Sequence, residues 1–243
     1  MEPLRAPGPI ASGPSDVSLL RRAMNGVQDL IRAGGKRPGT TLPGEAALAL
    51  QFGVSRGIMR EALSALAALG VVDVGAGRRP RVGAVDPTVL GLVLDHAVHT
   101  DQISIQQVYD VRRTIEMRTA ALAARLRSPG EAAALQALAE AMRGAFATPA
   151  VVMEQDIAFH QAIARAGRNP LFMLIVDSFQ VVMRKTWMIG WTGRASDAER
   201  MGSIEIHGAL AAAIAAQDAA AAEAAMADHF DLTTSALLRA GIH

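Results

Sequence analysis

In "SDVSLLRRAMNGVQDLIRAGG", Leu20, Met24, Val27 and Ile31 recur every three or four positions, the period of an amphipathic helix. Ser15 or Asp16 supplies a cap-type start and Gly34-Gly35 a stop. A second, short helix is predicted over "EAALALQF", ended by Gly53. A third runs over "SRGIMREALSALAALG", with Ser55 as its cap. In the third, Met59, Ala62, Leu63, Leu66 and Leu69 form the stripe expected to be buried, and Arg56 and Arg60 lie on the other face, one turn apart. The pattern then shortens. "VVDVGAGRRPRVGAV" holds two β-rich runs around a glycine turn, which predicts a hairpin. From Asp86-Pro87 onward, helical periods fill roughly 87–98, 104–127, 130–147, 150–167, 170–190, 196–216 and 218–240, with no convincing strand.

The expected fold is mostly α. A winged helix-turn-helix covers 16–85, a linker helix 86–103, and an antiparallel helical bundle 104–243. The Pro- and Gly-rich residues 1–15 are expected to form a disordered arm, and they contain no apolar stretch of the signal-peptide kind. No run approaches 18 uninterrupted apolar residues, so no membrane span is expected.

Charge sharpens this division. Residues 1–85 hold 11 Lys and Arg against 6 Asp and Glu, whereas 86–243 hold 13 against 17. A basic first third on an acidic remainder suits an anion-binding module on a larger body. The first residues of a recognition helix meet base edges, and an arginine there can bind guanine O6 and N7 together. Arg56 and Arg60, with Ser55 beside them, are the candidates; the alternative is a pair of solvated charges helped by Glu61. Arg78, Arg79 and Arg81 crowd one side of the hairpin, as a wing directed at phosphates or the minor groove would require. Gly75-Ala76-Gly77 does not make a dinucleotide loop, because Pro80 stands where a third glycine belongs and no helix follows.

The bundle raises a different question. Asp156 and His160 in "QDIAFHQAIA" are four apart and share one helix face. They could be a catalytic pair, two metal ligands, or a capped core histidine. The chain has six histidines, and besides His160 two more, His207 and His229, sit inside separate bundle helices. Three His and one carboxylate suit Zn²⁺, Ni²⁺ or a similar ion. The chain has no Cys, which excludes thiolate ligands and disulfides and suits a reducing cytoplasm. His-Glu-x-x-His, Gly-x-Ser-x-Gly and a phosphate loop are all missing. Glu154 and Glu205 are each two positions from a ligand and cannot share its face. A metallohydrolase is therefore a distant reading of these residues.

Two stretches carry a family resemblance. "GTTLPGEAALALQFGVSRGIMREALSALAALGVV" resembles the winged helix of GntR-family bacterial transcription regulators, with Gly44 where that family usually has Ser and Ala46 where it often has Arg. "YDVRRTIEMRTAALAAR", "DIAFH", "GRNP", "EIH" and "ADHF" are similar, in order, to landmarks of the FCD effector domain of the FadR-type branch. The resemblance implies a cytoplasmic homodimer, most often a repressor, on a palindromic double-stranded DNA operator. It implies one divalent metal per chain (zinc or nickel, with manganese a further candidate) on Asp156, His160, His207 and His229, and a small carboxylate effector bound to that metal; the alternative is a regulator for which the metal itself is the signal, with the enzyme a distant third. Arg112 matches an arginine that faces the pocket in this family, and Glu116, one turn on, could pair with it. "MRKTWMIGW" resembles regulators of sugar-acid catabolism. That makes galactonate or gluconate the expected kind of effector, with Arg184 and Trp187 as further donors; Trp191 is a candidate for the pocket, an interface or the core.

Overall fold

The computed structural model describes residues 16–242; the arm expected over 1–15 and the terminal His243 lie outside them. Contacts divide the chain between Asp86 and Pro87.

The first unit is three helices and a hairpin: α1 (Asp16–Ala33), α2 (Glu45–Phe52), α3 (Arg56–Ala68), β1 (Val72–Asp73) and β2 (Arg81–Val82). Ser55 accepts a hydrogen bond from the Ile58 amide and starts α3, whereas Gly44 at the start of α2 has no side chain to offer. The strands pair antiparallel, Val72 opposite Val82 and Asp73 opposite Arg81. Ala23, Val27, Leu42, Leu48, Met59, Ala62, Leu63, Leu66, Val72 and Val82 close one core. Leu69 departs from the expected stripe: it is 53% exposed. It is the C-cap residue of α3, with φ −89° and ψ 2°, so it has left the helical path that would carry it inward. The chain then turns at Gly70, where φ is +70°. Gly83 lies against that turn so closely that a Cβ on it would stand 2.0 Å from the Gly70 carbonyl oxygen, which is how the wing is tied to the end of α3.

The second unit is all helix: α4 (Pro87–His99), α5 (Ile105–Leu126), α6 (Pro129–Gly144), α7 (Pro149–Ala166), α8 (Pro170–Ser178), α9 (Gln180–Thr192), α10 (Asp197–Ala215) and α11 (Ala219–Arg239). Ser104 and Ser128 begin α5 and α6 with reciprocal caps to Gln107 and Glu131. Small residues such as Ala120, Ala123, Ala124 and Ala211 are fully buried between helices, which lets helix axes approach closely. Two expectations change. The segment 86–103, read as a linker, supplies α4, which belongs to this unit and packs Leu94 and Val98 against Val108, Phe179 and Val182. The single segment expected over 170–190 is two helices. At the break the Phe179 amide bonds the Val176 carbonyl three residues back, and the Ser178 hydroxyl donates to the Ile175 carbonyl, a competition that bends helices. Among the described residues no helix is long and apolar enough to cross a membrane.

Candidate functional site

In the first unit, α3 and the hairpin share a groove lined by Glu45, Arg60, Ser64, Arg78 and Arg79. Arg60 reaches across to Glu45 of α2 with two hydrogen bonds, at 3.0 and 2.9 Å. Arg56 lies 3.7 Å from the same carboxylate. The partner of both is Glu45, not Glu61. The Arg60 guanidinium, with help from Arg56, holds the Glu45 carboxyl below its usual range. Arg78 pairs with Asp73 at 2.8 Å. Arg79 and Arg81 are exposed and have no ion-pair partner among the described residues. The Ser55 oxygen is engaged as a helix cap, which leaves its O–H free to donate outward. This face is an exposed array of arginines, of which Arg56 and Arg60 share Glu45, Arg78 pairs with Asp73, and Arg79 and Arg81 have no ion-pair partner among the described residues.

In the second unit the predicted residues meet in the core. Asp156 and His160 on α7, His207 on α10 and His229 on α11 are all buried, and each offers one ligand atom within 4.8 Å of the others. The tautomers follow from their partners. The Ser203 carbonyl, 2.8 Å from His207 Nδ1, can only accept, so Nδ1 carries a proton and Nε2 faces Asp156 Oδ1 at 3.0 Å. His160 Nδ1 is bonded to the Glu116 carboxylate, and its Nε2 also turns inward, 3.2 Å from Asp156 Oδ1. That approach is off the line a hydrogen bond needs, so His160 Nε2 is a buried nitrogen with no hydrogen-bond partner. A histidine held through Nδ1 by a carboxylate or carbonyl, with Nε2 aimed at a common point, is the arrangement that orients metal ligands.

The charges here favour a cation at the cluster, and a metal would take the place of the extra proton on His160. Burial works against charge on His160, but the Glu116 carboxylate and Asp156 outweigh it and raise its pKa to about 9. Burial, and then the charges of His207 and His160, push His229 well below its usual value, leaving a neutral ring with a free lone pair. Burial opposes ionisation of Asp156, yet the neighbouring His160 and His207 rings hold its carboxyl well below the usual range. An N,O donor set of this kind suits zinc, nickel or manganese. The unpartnered His160 nitrogen is what a divalent ion would satisfy. The residues present therefore fit the metal.

Arg112 lies beside this cluster, 2% exposed. Its Nε donates to Glu116 at 2.8 Å, and its guanidinium carbon lies 5.0 Å from the ring centres of both Tyr109 and Phe230. Its Nη2 is buried with no hydrogen-bond partner. Arg112, Asp156, His207 and His229 line one cavity, together with Tyr109, Thr186, Trp187, Trp191, Arg194 and Thr233. The space open to the centres of water molecules is about 30 Å³, room for about two waters.

Trp187 lines the cavity, but its indole N–H is spent on Asp156 Oδ2 at 2.6 Å. Its ring stacks on Trp191, centroids 5.1 Å apart, and Trp191 packs on Phe146. Arg184 is not brought to the cavity: it pairs with Glu154 of α7 on the exposed side of α9. Sequence reasoning missed the bond from Glu116 to His160, which joins residues 44 apart and leaves no local trace. It also missed the tie from Trp187 to Asp156.

Comparisons with known proteins follow the same division. Residues 20–83 match the family described as bacterial regulatory proteins, gntR family, and residues 107–232 match the FCD domain. The chain is 31% identical over 204 residues to the HTH-type transcriptional regulator LutR of Bacillus subtilis, covering 82% of this chain and 92% of that one. It is 30% identical over 198 residues to the galactonate operon transcriptional repressor of Escherichia coli K12, covering 77% and 83%. A solved Streptococcus agalactiae GntR structure superposes with a TM-score of 0.63 at 23% identity, over 88% of this chain and 97% of that one, which is a likeness of fold.

Proposed function

Since the chain belongs to the gntR family of bacterial regulatory proteins and carries an FCD domain, it is a DNA-binding transcription regulator rather than an enzyme, and we propose that a divalent metal and a small hydroxy acid together control it. The observation that carries this reading is the pair of buried, unpartnered nitrogens, His160 Nε2 and Arg112 Nη2. Each lacks a hydrogen bond that the folded protein would be expected to supply. The first faces the common point of Asp156, His160, His207 and His229, and the second belongs to a side chain that lines the adjoining cavity. Bound there, zinc, nickel or manganese would supply a positive charge and open positions to which a carboxylate can attach. Arg112 would donate to the remaining carboxylate oxygen. Trp187 and Glu116 would hold the ligand side chains in place.

The cavity favours a compact acid. With space for about two waters, it must open for any organic ligand, and further for a six-carbon aldonate than for a three- or four-carbon hydroxy acid. Galactonate, named for one relative, and gluconate stay in the test set for that reason. On the DNA side, Ser55, Arg56 and Arg60 would read bases, and Arg78, Arg79 and Arg81 would hold phosphates. A homodimer in the cytoplasm would set two such units on a palindromic operator, most simply as a repressor. Effector binding would shift the population between operator-competent and incompetent arrangements.

Elemental analysis of the purified chain is expected to find about one ion per chain. Hydroxy acids are expected to raise the melting temperature of metal-loaded protein and not of chelator-stripped protein. An acid present at a hundredfold its Kd would add about 2.7 kcal/mol. A protein that takes up no ion when offered zinc, nickel or manganese overturns the metal reading. Equal stabilisation of loaded and stripped protein overturns the joint site.

A further inference from the structure

Of the cavity's polar side chains, most are already engaged. Tyr109 and Thr186 bond each other at 2.9 Å, Ser203 donates to the Arg200 carbonyl, and Trp187 donates to Asp156. Besides Arg112 and the indole N–H of Trp191, whose ring lines the cavity from the stack on Trp187, Arg194 and Thr233 keep donors to spare. Arg194 spends Nη1 on the Gly190 carbonyl at 2.7 Å and has no carboxylate within ion-pair distance among the described residues. Thr233 stands four residues after His229 on α11, lines the cavity, and its hydroxyl makes no hydrogen bond among the described residues.

Arg194 is built into its place. Gly193, at the end of α9, presses on α11 so closely that a Cβ there would stand 2.5 Å from the Ala236 carbonyl oxygen. Arg200 bonds the Trp191 and Arg194 carbonyls, each at 3.2 Å, and fixes the turn between them. Arg194 thus lines both the inner cavity and an outer groove with Glu199, Gly202, Leu232 and Arg239. It stands at the mouth, where a ligand's second end would lie.

Charge points the same way. With a divalent ion in place, that ion and two arginines, Arg112 and Arg194, surround only two carboxylates, Asp156 and Glu116. A monoanion leaves excess positive charge in a largely desolvated space, and a dianion cancels it.

From these groups we infer that Arg194 and Thr233 form a second anion subsite and that the effector is a compact 2-hydroxy dicarboxylate. One carboxylate and the hydroxyl occupy the metal side with Arg112, and the other carboxylate meets Arg194 and Thr233. This rests on the joint metal-and-acid reading above and narrows it to one ligand class.

The test compares malate with lactate, which has the same 2-hydroxy acid head and no second carboxylate, by titration calorimetry on the zinc-loaded full chain. Malate is expected to bind at least about tenfold more tightly, as a charge-assisted hydrogen-bonded contact warrants. Arg194→Gln is expected to weaken malate about tenfold and to leave lactate within about twofold. Thr233→Val is expected to weaken malate by a smaller factor in the same selective way. The ligand-free melting temperature of each variant checks that it is folded. Equal affinity for the two acids in the wild type, or equal losses for both acids in Arg194→Gln, overturns the subsite while leaving the joint site standing. Failure of both acids to bind loaded protein overturns the joint site and the subsite with it.

Discussion

Arg60 in the winged helix and Arg112 in the bundle each reach a glutamate at nearly the same distance, 2.9 and 2.8 Å, but in opposite surroundings. The Arg60 side chain is 68% exposed and that of Arg112 only 2%. In water an ion pair contributes about 0–1 kcal/mol, because solvent and salt screen it. Arg60 can therefore leave Glu45 for a base at little cost. In the core neither charge can leave without stranding the other. Glu116 is bound on both sides, by Arg112 and by His160, so that Arg112, Glu116, His160, Asp156, Trp187 and His207 form one connected network. The first unit holds its candidate residues ready to exchange partners, and the second holds them in a fixed frame in which an added ion or acid would be felt by every member.

That contrast breaks first at Arg112→Met. The variant keeps length and apolar bulk against Tyr109 and Phe230 but leaves Glu116 with only His160. A buried pair broken on one side costs about 3–5 kcal/mol. In a unit of this size that lowers the melting temperature by roughly 10 °C. Adding Glu116→Gln is expected to recover part of the loss, since it removes the stranded charge. Thermal denaturation of the two variants checks this. A single variant that melts with the wild type would mean that the core pair is no more structural than the surface one.

Trp187→Phe sharpens the comparison within the bundle. Phenylalanine keeps an aromatic ring against Trp191 and removes the N–H that bonds Asp156 Oδ2. Partners that orient metal ligands are typically worth 10–100-fold in metal affinity. Chelator competition is expected to show a loss in that range, with Trp191 fluorescence reporting an intact fold. Unchanged metal affinity would make Trp187 a packing residue alone.

The two regions also differed in how far the sequence exposed them. Arg56, Arg60 and the hairpin arginines stand out as candidates because exposed residues of this kind sit on local patterns: a cap at Ser55, a 3.6-residue stripe, a glycine turn. Their partner was harder to see, since Glu45 comes from another helix and Glu61 was nearer in sequence. Asp156 and His160 were visible as a pair because both lie on one turn of α7. Counting the histidines inside separate bundle helices then added His207 and His229, and the family pattern joined the four into one ligand set. The frame around them was not visible, because Glu116 to His160 and Trp187 to Asp156 join α5 to α7 and α9 to α7, and such contacts depend on how helices pack rather than on any one helix. Leu69 failed for the same kind of reason. Periodicity assigns it to the stripe, but whether the helix continues that far is decided by the turn at Gly70.

The smallest effects on stability are expected on the DNA-facing side, where they test whether partners there are exchangeable. Arg60→Ala should alter stability by no more than about 0.5 kcal/mol, as exposed substitutions do, while costing about 1–3 kcal/mol at the operator. Glu45→Gln makes the sharper case. It removes the carboxylate that holds Arg60 and Arg56, and it takes one negative charge away from a groove expected to face phosphates. The melting temperature should barely move, because the pair is exposed. Operator affinity should rise, by tenfold at most, because Arg60 no longer has to leave a competing anion and repulsion of the backbone is reduced. Fluorescence anisotropy with labelled operator duplex at several salt concentrations reads the affinity, and thermal denaturation reads the stability. If Glu45→Gln instead weakens binding as much as Arg60→Ala does, Glu45 is a rigid support for the recognition arginine, and the first unit works by a fixed frame as the second does.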